Sequence, residues 1–116
     1  MISFHLGFED CASSVVGLAD SQIIPDSSFT ASSQRSDEYA ARKARFTFNR
    51  CWKPYKGNKA DDYLQIDLGK VFVICAVATK GNPQTHLHER TTEYKISTSI
   101  DNTTWTWYPD NKNIKV

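Results

Sequence analysis

The sequence predicts an all-β sandwich, and three observations lead to that fold class. Residues 63–69 alternate apolar and polar side chains, as a strand with one buried face does. Residues 71–78 are apolar almost throughout, which is typical of a strand buried on both faces. Short β-prone runs recur between polar turns, and no segment shows a helical period. A chain of 116 residues with this pattern is expected to form one domain.

The first quarter of the chain is mostly polar. Residues 1–22 are predicted to be irregular, with Gly17 able to hold a positive φ angle. Ile23 and Ile24 predict a short strand that ends in a turn. Pro25 keeps that strand away from the centre of a sheet, because proline donates no ladder hydrogen bond.

Two strands and two loops are predicted before the central pair. Residues 29–33 are a short β-prone run, and residues 45–48 are a second strand candidate. Residues 34–43 lack an apolar stripe that a helix would bury, so they are predicted to be a loop. Residues 49–62 contain proline and Gly-Asn turn signals and predict a long loop.

The central pair is followed by a second long loop and a hairpin. We expect the strands within 63–69 and 71–78 to be neighbours in the sheet core, because only two residues separate them. Residues 80–92 contain a Gly-Asn-Pro breaker and predict a loop. Residues 94–108 predict two strands joined by a turn at residues 101–102.

Charge is distributed unevenly, although the formal net charge is only +1. Residues 35–59 carry eight basic and two acidic side chains, whereas residues 1–34 carry four acidic side chains and no Lys or Arg. Such a basic segment can steer an anionic ligand, and the alternative is a solvated face with one structural ion pair. The near-neutral total gives no reason to expect a nucleic-acid partner. No apolar run reaches the roughly eighteen residues of a membrane span, and residues 1–18 lack the features of a signal peptide.

Eight short pieces of the sequence follow one another in an order typical of a known family. They are Cys11 with Gly17 and Leu18, FTASS at 29–33, ARF at 44–46, Trp52, YLQIDLG at 63–69, VATKG at 77–81, YKIS at 94–97, and residues 101–105. In this order the chain resembles the discoidin domain, also called the coagulation factor 5/8 type C domain. The resemblance implies an eight-stranded jelly-roll β-sandwich, galactose-binding-domain-like, that serves as an extracellular binding module and not as an enzyme.

The chain departs from the family pattern at its C-terminal end. The family continues after the strand at 104–108 with a Phe-x-Gly-Asn segment, further strands and a terminal cysteine, and none of these precedes Val116. We therefore expect an N-terminal lead-in at 1–10 and a discoidin-like domain at 11–116 that lacks its last strands. The expected explanation is a fragment of a longer parent chain with further domains, and the alternative is a partner chain that completes the fold.

The three cysteines are an odd number. The resemblance implies that Cys11 pairs with the missing terminal cysteine, so Cys11 is expected to be left single. Cys51 and Cys75 depart from the commonest family sequences, and we expect a disulfide between them that ties a loop to the central strand. In the chain-entropy model such a bond contributes roughly 3–4 kcal/mol. The alternative is two buried free thiols.

By resemblance, ligand binding falls to three loops, which we call the first loop (residues 34–41), the second loop (50–58) and the third loop (82–90). Tyr39 and Tyr55 are expected to be stacking platforms, with basic neighbours as hydrogen-bond donors. The loops carry no paired exposed tryptophans or leucines, which argues against deep insertion into lipid. The candidate contact residues are Arg35, Ser36, Asp37, Glu38, Tyr39, Lys53, Tyr55, Lys56, Asn58, Gln84, His86 and His88.

Other motifs carry weaker hypotheses. His86 and His88 would share one side of an extended segment, as a metal pair or a pH-sensitive contact, but no third ligand has a fixed spacing and no metal is expected. Asp67 is expected to pair with Arg45. Asn102 begins an Asn-Thr-Thr glycosylation sequon in a predicted turn. No nucleophile elbow, phosphate loop or pair of catalytic carboxylates is present in the sequence.

The sequence therefore predicts a secreted or cell-surface recognition and adhesion module that binds a glycan or a cell-surface protein. The first alternative is peripheral binding of residues 35–59 to anionic phospholipid headgroups such as phosphatidylserine. The second alternative is an accessory carbohydrate-binding domain of a secreted enzyme. No cofactor is expected, and the residues do not show whether calcium takes part.

Overall fold

A computed structural model describes residues 2–5, 15–56, 59–84, 86, 88–108 and 114–115. The strands in these ranges are β1 (Ile2–His5), β2 (Phe29–Ala31), β3 (Leu64–Ile66), β4 (Ala76–Thr79), β5 (Glu93–Tyr94), β6 (Ile96–Thr98), β7 (Thr106–Tyr108) and β8 (Ile114–Lys115). Short 3₁₀ helices at Asp26–Ser28, Asp37–Tyr39 and Ala41–Ala44 are the helical elements of the described residues. The prediction of an all-β fold is confirmed.

The described strands form four antiparallel pairs: β1 with β4, β2 with β3, β5 with β8, and β6 with β7. In the β2–β3 pair Phe29 lies opposite Ile66 and Ala31 opposite Leu64, so apolar residues of both strands face one core. The β6–β7 pair is the predicted hairpin, with Ile96 opposite Tyr108.

The hairpin turn is organised by one carboxylate. Asp101 Oδ1 accepts hydrogen bonds from the backbone amides of Thr103 and Thr104, both at 2.9 Å. These bonds hold the pKa of the Asp101 carboxyl well below its ordinary value, because they stabilise the ionised form. Asn102 follows at φ 61°, in the left-handed region that asparagine adopts more readily than most residues. The predicted turn at 101–102 is confirmed.

The expected central pair is wrong in part. The strand within 63–69 forms as β3, but it pairs with β2 and not with the strand that follows it. Of residues 71–78, only 76–78 belong to a strand, β4, which pairs with β1. Val71 is 73% exposed and Val73 is 61% exposed, so this run is not buried on both faces.

A turn after β3 explains why the two strands separate. Gly69 has φ 78°, and its amide donates to Asp67 Oδ1 at 2.8 Å. The chain therefore changes direction directly after β3. Asp67 is used in this turn, and the expected Asp67–Arg45 ion pair does not form. The periodicity of the two strands could not show this, because it gives the buried face of a strand and not its neighbour.

Three other local predictions are corrected. Residues 2–5 form β1, although the whole of 1–22 was expected to be irregular. The expected strand at Ile23 and Ile24 is a turn, in which both amides donate to the carbonyl of Asp20 at 3.1 and 3.0 Å. The expected strand at 45–48 is also a turn, closed by the Phe48 amide on the Arg45 carbonyl at 3.2 Å.

Two expectations about the first half of the chain hold. Gly17 has φ 97°, and a Cβ there would lie 2.8 Å from Ile23 Cγ2, so glycine is required by both angle and space. Residues 34–43 contain no strand and no α-helix, although two 3₁₀ helices order them. The loop is therefore more structured than its composition indicates.

The described core is small and centres on the turn-rich first half of the chain. Its buried members are Leu18, Ile24, Phe29, Ala41 and Ala44. The half-buried side chains packed against them are Ala31, Trp52, Leu64, Ile66 and Leu68. Strands β2 and β3 therefore close the core from one side, and the 3₁₀ helix at Ala41–Ala44 closes it from another.

Arg45 lies within this core and is 2% exposed. Its Nε and Nη2 atoms donate to Asp26 Oδ1 at 3.1 and 2.9 Å, and its guanidinium lies over the Phe29 ring at 4.5 Å. Nη1 donates to the carbonyl of Leu18 at 2.5 Å, and Nη2 also donates to the carbonyl of Ile24. A buried charge needs such complete pairing, because desolvation of an unpaired guanidinium is costly. Arg45 therefore connects segments that lie far apart in sequence.

Replacing Arg45 with methionine is expected to lower the free energy of unfolding by about 3–5 kcal/mol, because it leaves two buried carbonyls and Asp26 without their donor. Urea unfolding monitored by tryptophan fluorescence measures the change. Arg42→Met is the matched control, since Arg42 makes an exposed pair with Asp37 at 3.3 Å and its loss should cost less than about 1 kcal/mol. Equal losses in the two variants would contradict the central role of Arg45.

Candidate ligand-binding loops

The first and second loops are joined through their backbones. The Arg35 amide donates to the Lys53 carbonyl at 2.9 Å, and the Lys53 amide donates to the Tyr39 carbonyl at 3.2 Å. Trp52 Nε1 donates to the carbonyl of Ser33 at 3.0 Å while its ring packs on the core. The second loop therefore rests on the scaffold through Trp52 and lies alongside the first loop.

Lys53 also joins the third loop to this pair. Its Nζ forms an ion pair with Glu89 Oε2 and lies 4.2 Å from the centroid of the Tyr39 ring. Glu89 Oε2 accepts a second bond from Asn82 Nδ2 at 2.8 Å, and the Asn82 amide donates to the Glu89 carbonyl at 2.9 Å. The Lys53 side chain is only 14% exposed, so water screens this contact less than a surface pair. One lysine thus connects all three loops.

These contacts shift the pKa of Glu89. The hydrogen bonds from Lys53 and then Asn82 lower the pKa of this carboxyl from its ordinary 4.5, because both donors stabilise the charged form. The link between the third and second loops therefore depends on an ionised Glu89.

Cys51, at the start of the second loop, has a free and buried thiol, so the expected Cys51–Cys75 disulfide does not form. Burial raises the pKa of the Cys51 thiol, which outweighs the lowering by nearby Lys53. Residue spacing alone does not set the distance between two cysteines, which is why the pairing could not be derived from the sequence. Cys11 lies outside the described residues.

Most of the basic segment is used in internal contacts. Five of its eight basic side chains form an ion pair with a carboxylate or lie over an aromatic ring within the described structure. They are Arg42 on Asp37, Arg45 on Asp26, Arg50 on Glu38, Lys53 on Glu89, and Lys43 over the Phe48 ring. Arg35, Lys56 and Lys59 have no ion-pair partner among the described residues. The segment is therefore not a continuous cationic face.

The two tyrosines of the loops differ in accessibility. Tyr55 is 67% exposed, whereas Tyr39 is half-buried and carries Lys53 on its ring. A planar ligand group can reach the Tyr55 ring directly. Tyr39 is better suited to holding Lys53 in place than to stacking on a ligand.

A cleft of about 250 Å³ lies beside the second loop, and we call it the Ser33 cleft. Its side chains come from the end of β2 and from the chain that leads into β3. They are Ser32, Ser33, Tyr55, Lys56, Lys59, Asp61 and Asp62. Sequence reasoning did not identify the two serines or Lys59, because their contribution depends on residues about thirty positions apart.

The remaining candidate residues occupy different positions. Ser36, Asp37 and Glu38 are exposed in the first loop, and Gln84 is half-buried in the third. His86 and His88 are both exposed, and His88 has φ 49°, so the segment is not the extended one expected for a metal pair. Within the described ranges, no three His, Cys, Asp or Glu side chains come together in a way that could hold a metal ion. Asn58 lies outside those ranges.

The described residues thus form an all-β scaffold with three interlinked polar loops, an arrangement that many binding modules use. The comparisons with known proteins agree: the profile of the F5/8 type C domain matches residues 28–116, and the chain belongs to this family. The human protein Epithelial discoidin domain-containing receptor 1 is 33% identical over an alignment of 101 positions, and the match covers 82% of this chain. The chain spans 11% of the length of that relative.

Family membership confirms the resemblance found in the sequence. Domains of this family are β-sandwiches that serve as binding modules in extracellular proteins, and they are generally non-catalytic. Within the described part of the chain, no helix is long and apolar enough to cross a membrane.

Acidification is expected to separate the third loop from the second. Because the folded pKa of Glu89 lies below the ordinary 4.5, the link is complete above that pH and is lost as pH falls through the lower folded value. Glu89→Gln should produce the same separation at neutral pH, since it keeps an acceptor for Asn82 but removes the charge. Hydrogen exchange of the Asn82 amide, whose acceptor is the Glu89 carbonyl, measures the loosening of the third loop.

Glu38→Gln is the matched control for this experiment, because Glu38 pairs with Arg50 at 3.7 Å on the exposed side of the first loop. Its exchange at Asn82 should equal that of the unmodified chain. Unchanged protection at Asn82 in Glu89→Gln would show that the carboxylate charge does not hold the loops together.

Proposed function

We propose that this chain is an extracellular, non-enzymatic recognition module that binds a glycan or a cell-surface protein through its three linked loops. The observation that carries this proposal is the position of Lys53, which contacts the first loop through Tyr39 and the third loop through Glu89. Family membership supports the general role, because F5/8 type C domains are binding modules of extracellular proteins.

The linked loops suit recognition for an energetic reason. A loop that must be ordered on binding loses conformational entropy at that moment, which weakens affinity. Here the backbone bonds of Arg35 and Lys53 and the ion pair to Glu89 order the loops beforehand. Binding residues carried by loops on a rigid scaffold are a common arrangement in proteins.

The available groups favour a polar ligand over a lipid surface. Arg35 is exposed while its amide is fixed on Lys53, and Tyr55 offers an open ring. The alternative, anionic phospholipid binding, needs a broad cationic face. Five of the eight basic side chains of residues 35–59 instead make contacts within the protein. The relative described above is named a receptor, which supports a recognition role over that of an accessory domain in an enzyme.

Binding of the 116-residue chain, displayed on a multivalent carrier, is expected on a glycan array or on a panel of cell-surface and matrix proteins. Lys53→Met should weaken the observed binding about tenfold, because it releases the third loop and the loops must then be ordered on contact. Tyr55→Ala should weaken glycan binding, whereas Tyr39→Ala should act through Lys53 and not through direct stacking.

Lys70→Met is the control, since Lys70 is exposed in the turn after β3, outside the three loops. No binding by the folded chain, or binding indifferent to the Lys53 and Tyr55 changes, would refute the proposal. Binding to phosphatidylserine vesicles that disappears with salt would favour the lipid alternative.

The turn of the β6–β7 hairpin supports an extracellular location. Asn102 is exposed, and Gln65 Nε2 donates to its amide oxygen at 2.9 Å. This bond uses the oxygen and not the nitrogen to which a glycan is attached. The sequon Asn-Thr-Thr is therefore presented on an accessible turn.

Expression of the chain behind a secretion leader in eukaryotic cells is expected to yield a species whose gel mobility increases after peptide-N-glycosidase treatment. Thr104→Ala should abolish the shift and Thr104→Ser should keep it, because the third sequon position must carry a hydroxyl. An unmodified chain that shows no shift would contradict glycosylation of Asn102.

A further inference from the structure

Both ends of the Ser33 cleft are held by the two serines at the end of β2. The Tyr55 amide donates to Ser33 Oγ at 3.0 Å, and the Tyr63 amide donates to Ser32 Oγ at 2.9 Å. Ser32 Oγ and Ser33 Oγ donate in turn to Asp62 Oδ1 at 2.8 and 2.9 Å. Hydrogen bonds between the lining residues therefore hold the shape of the cleft.

We propose that the Ser33 cleft binds an acidic saccharide, that is, a sugar unit carrying a carboxylate or a sulfate. This inference rests on the proposed function of the module and names the ligand class at one place on it. The place differs from the Lys53 contact, because neither Lys53 nor Glu89 lines the cleft.

The two lysines of the cleft favour a ligand with an acidic group. Lys56 and Lys59 are exposed at the cleft and make no ion pair within the described residues, whereas four of the eight basic residues of 35–59 do. Each offers an ammonium group with three donors to a carboxylate or sulfate. Together with Arg35 they are the cations of residues 35–59 that meet no carboxylate or aromatic ring in the part of the chain that the structure describes.

The other residues that line the cleft favour a sugar as the rest of the ligand. Tyr55 presents an open ring, on which the apolar face of a sugar ring can pack. Asp61 is an exposed carboxylate that can accept hydrogen bonds from sugar hydroxyls, whereas Asp62 Oδ1 is already engaged by the two serines. An open aromatic ring and a hydroxyl acceptor beside two ammonium groups together favour a sugar unit with an acidic substituent.

The test titrates the 116-residue chain with three oligosaccharides by isothermal calorimetry: a sulfated heparin fragment, a sialylated lactose and a neutral maltose oligomer. The acidic probes are expected to bind at least about tenfold more tightly than the neutral probe. Comparison of the sulfated and sialylated arms shows which acidic group the lysines prefer.

Variants locate the binding in the cleft. Lys56→Ala and Lys59→Ala should each weaken binding of the acidic probe roughly fivefold, and Tyr55→Ala roughly tenfold. Lys70→Ala is the matched control with the same loss of charge outside the cleft, and it should leave binding unchanged. Urea midpoints of all variants verify that each remains folded.

Three outcomes would overturn the inference: equal binding of neutral and acidic probes, acidic binding indifferent to the cleft variants, or no saccharide binding. If no saccharide binds but protein binding still depends on Lys53, the cleft inference fails and the proposed function stands. If the folded chain binds nothing on any panel, both fail. Lysine-dependent binding to phosphatidylserine vesicles without saccharide binding would assign the cleft to a lipid headgroup and also overturn the inference.

Discussion

The first half of the chain depends on the contacts of one buried group, the guanidinium of Arg45. It donates to the carbonyls of Leu18 and Ile24 and to Asp26, and it lies over the ring of Phe29. These partners are separated from Arg45 by 16 or more positions and have no continuous sheet to hold them together. A buried cation that satisfies several acceptors at once takes the structural role that the backbone hydrogen bonds of a longer strand would have. The core therefore forms around a polar centre with apolar side chains packed on its outside.

The loops use charge in a related way. Lys53 is largely buried and is satisfied by the Glu89 carboxylate and the face of Tyr39, so it acts as a connector between loops. The charges of Arg45 and Lys53 are both satisfied by groups of the protein itself, whereas Arg35, Lys56 and Lys59 have no ion-pair partner among the described residues. A count of basic residues therefore overstates the cationic surface of this chain. The proposal of a discrete polar ligand over a membrane surface rests on this distinction between paired and unpaired cations.

Strand β2 connects the scaffold to the Ser33 cleft. Its first residue, Phe29, is in the core, while Ser32 and Ser33 directly after it hold the loop that leads into β3. A change in the packing of β2 against β3 would consequently move the serines and the cleft with them. The second loop, with Trp52 packed on the core and its Nε1 bonded to Ser33, is positioned by the same short stretch. The core and the Ser33 cleft are thus joined at the end of one strand.

The sequence by itself determined the fold class, the family, the β6–β7 hairpin with its turn and the positive φ of Gly17. These features are local, because they follow from alternation over a few residues, from turn chemistry, or from motifs in a typical order. Tertiary structure alone decided that β3 pairs with β2 and not with β4, that Arg45 pairs with Asp26 and not with Asp67, that Cys51 is a free thiol, and that Lys53 meets Glu89. Each of these is a choice between partners far apart in sequence. Periodicity and residue type show what a side chain needs, but the path of the chain through turns such as that at Gly69 decides which partner is near enough to supply it.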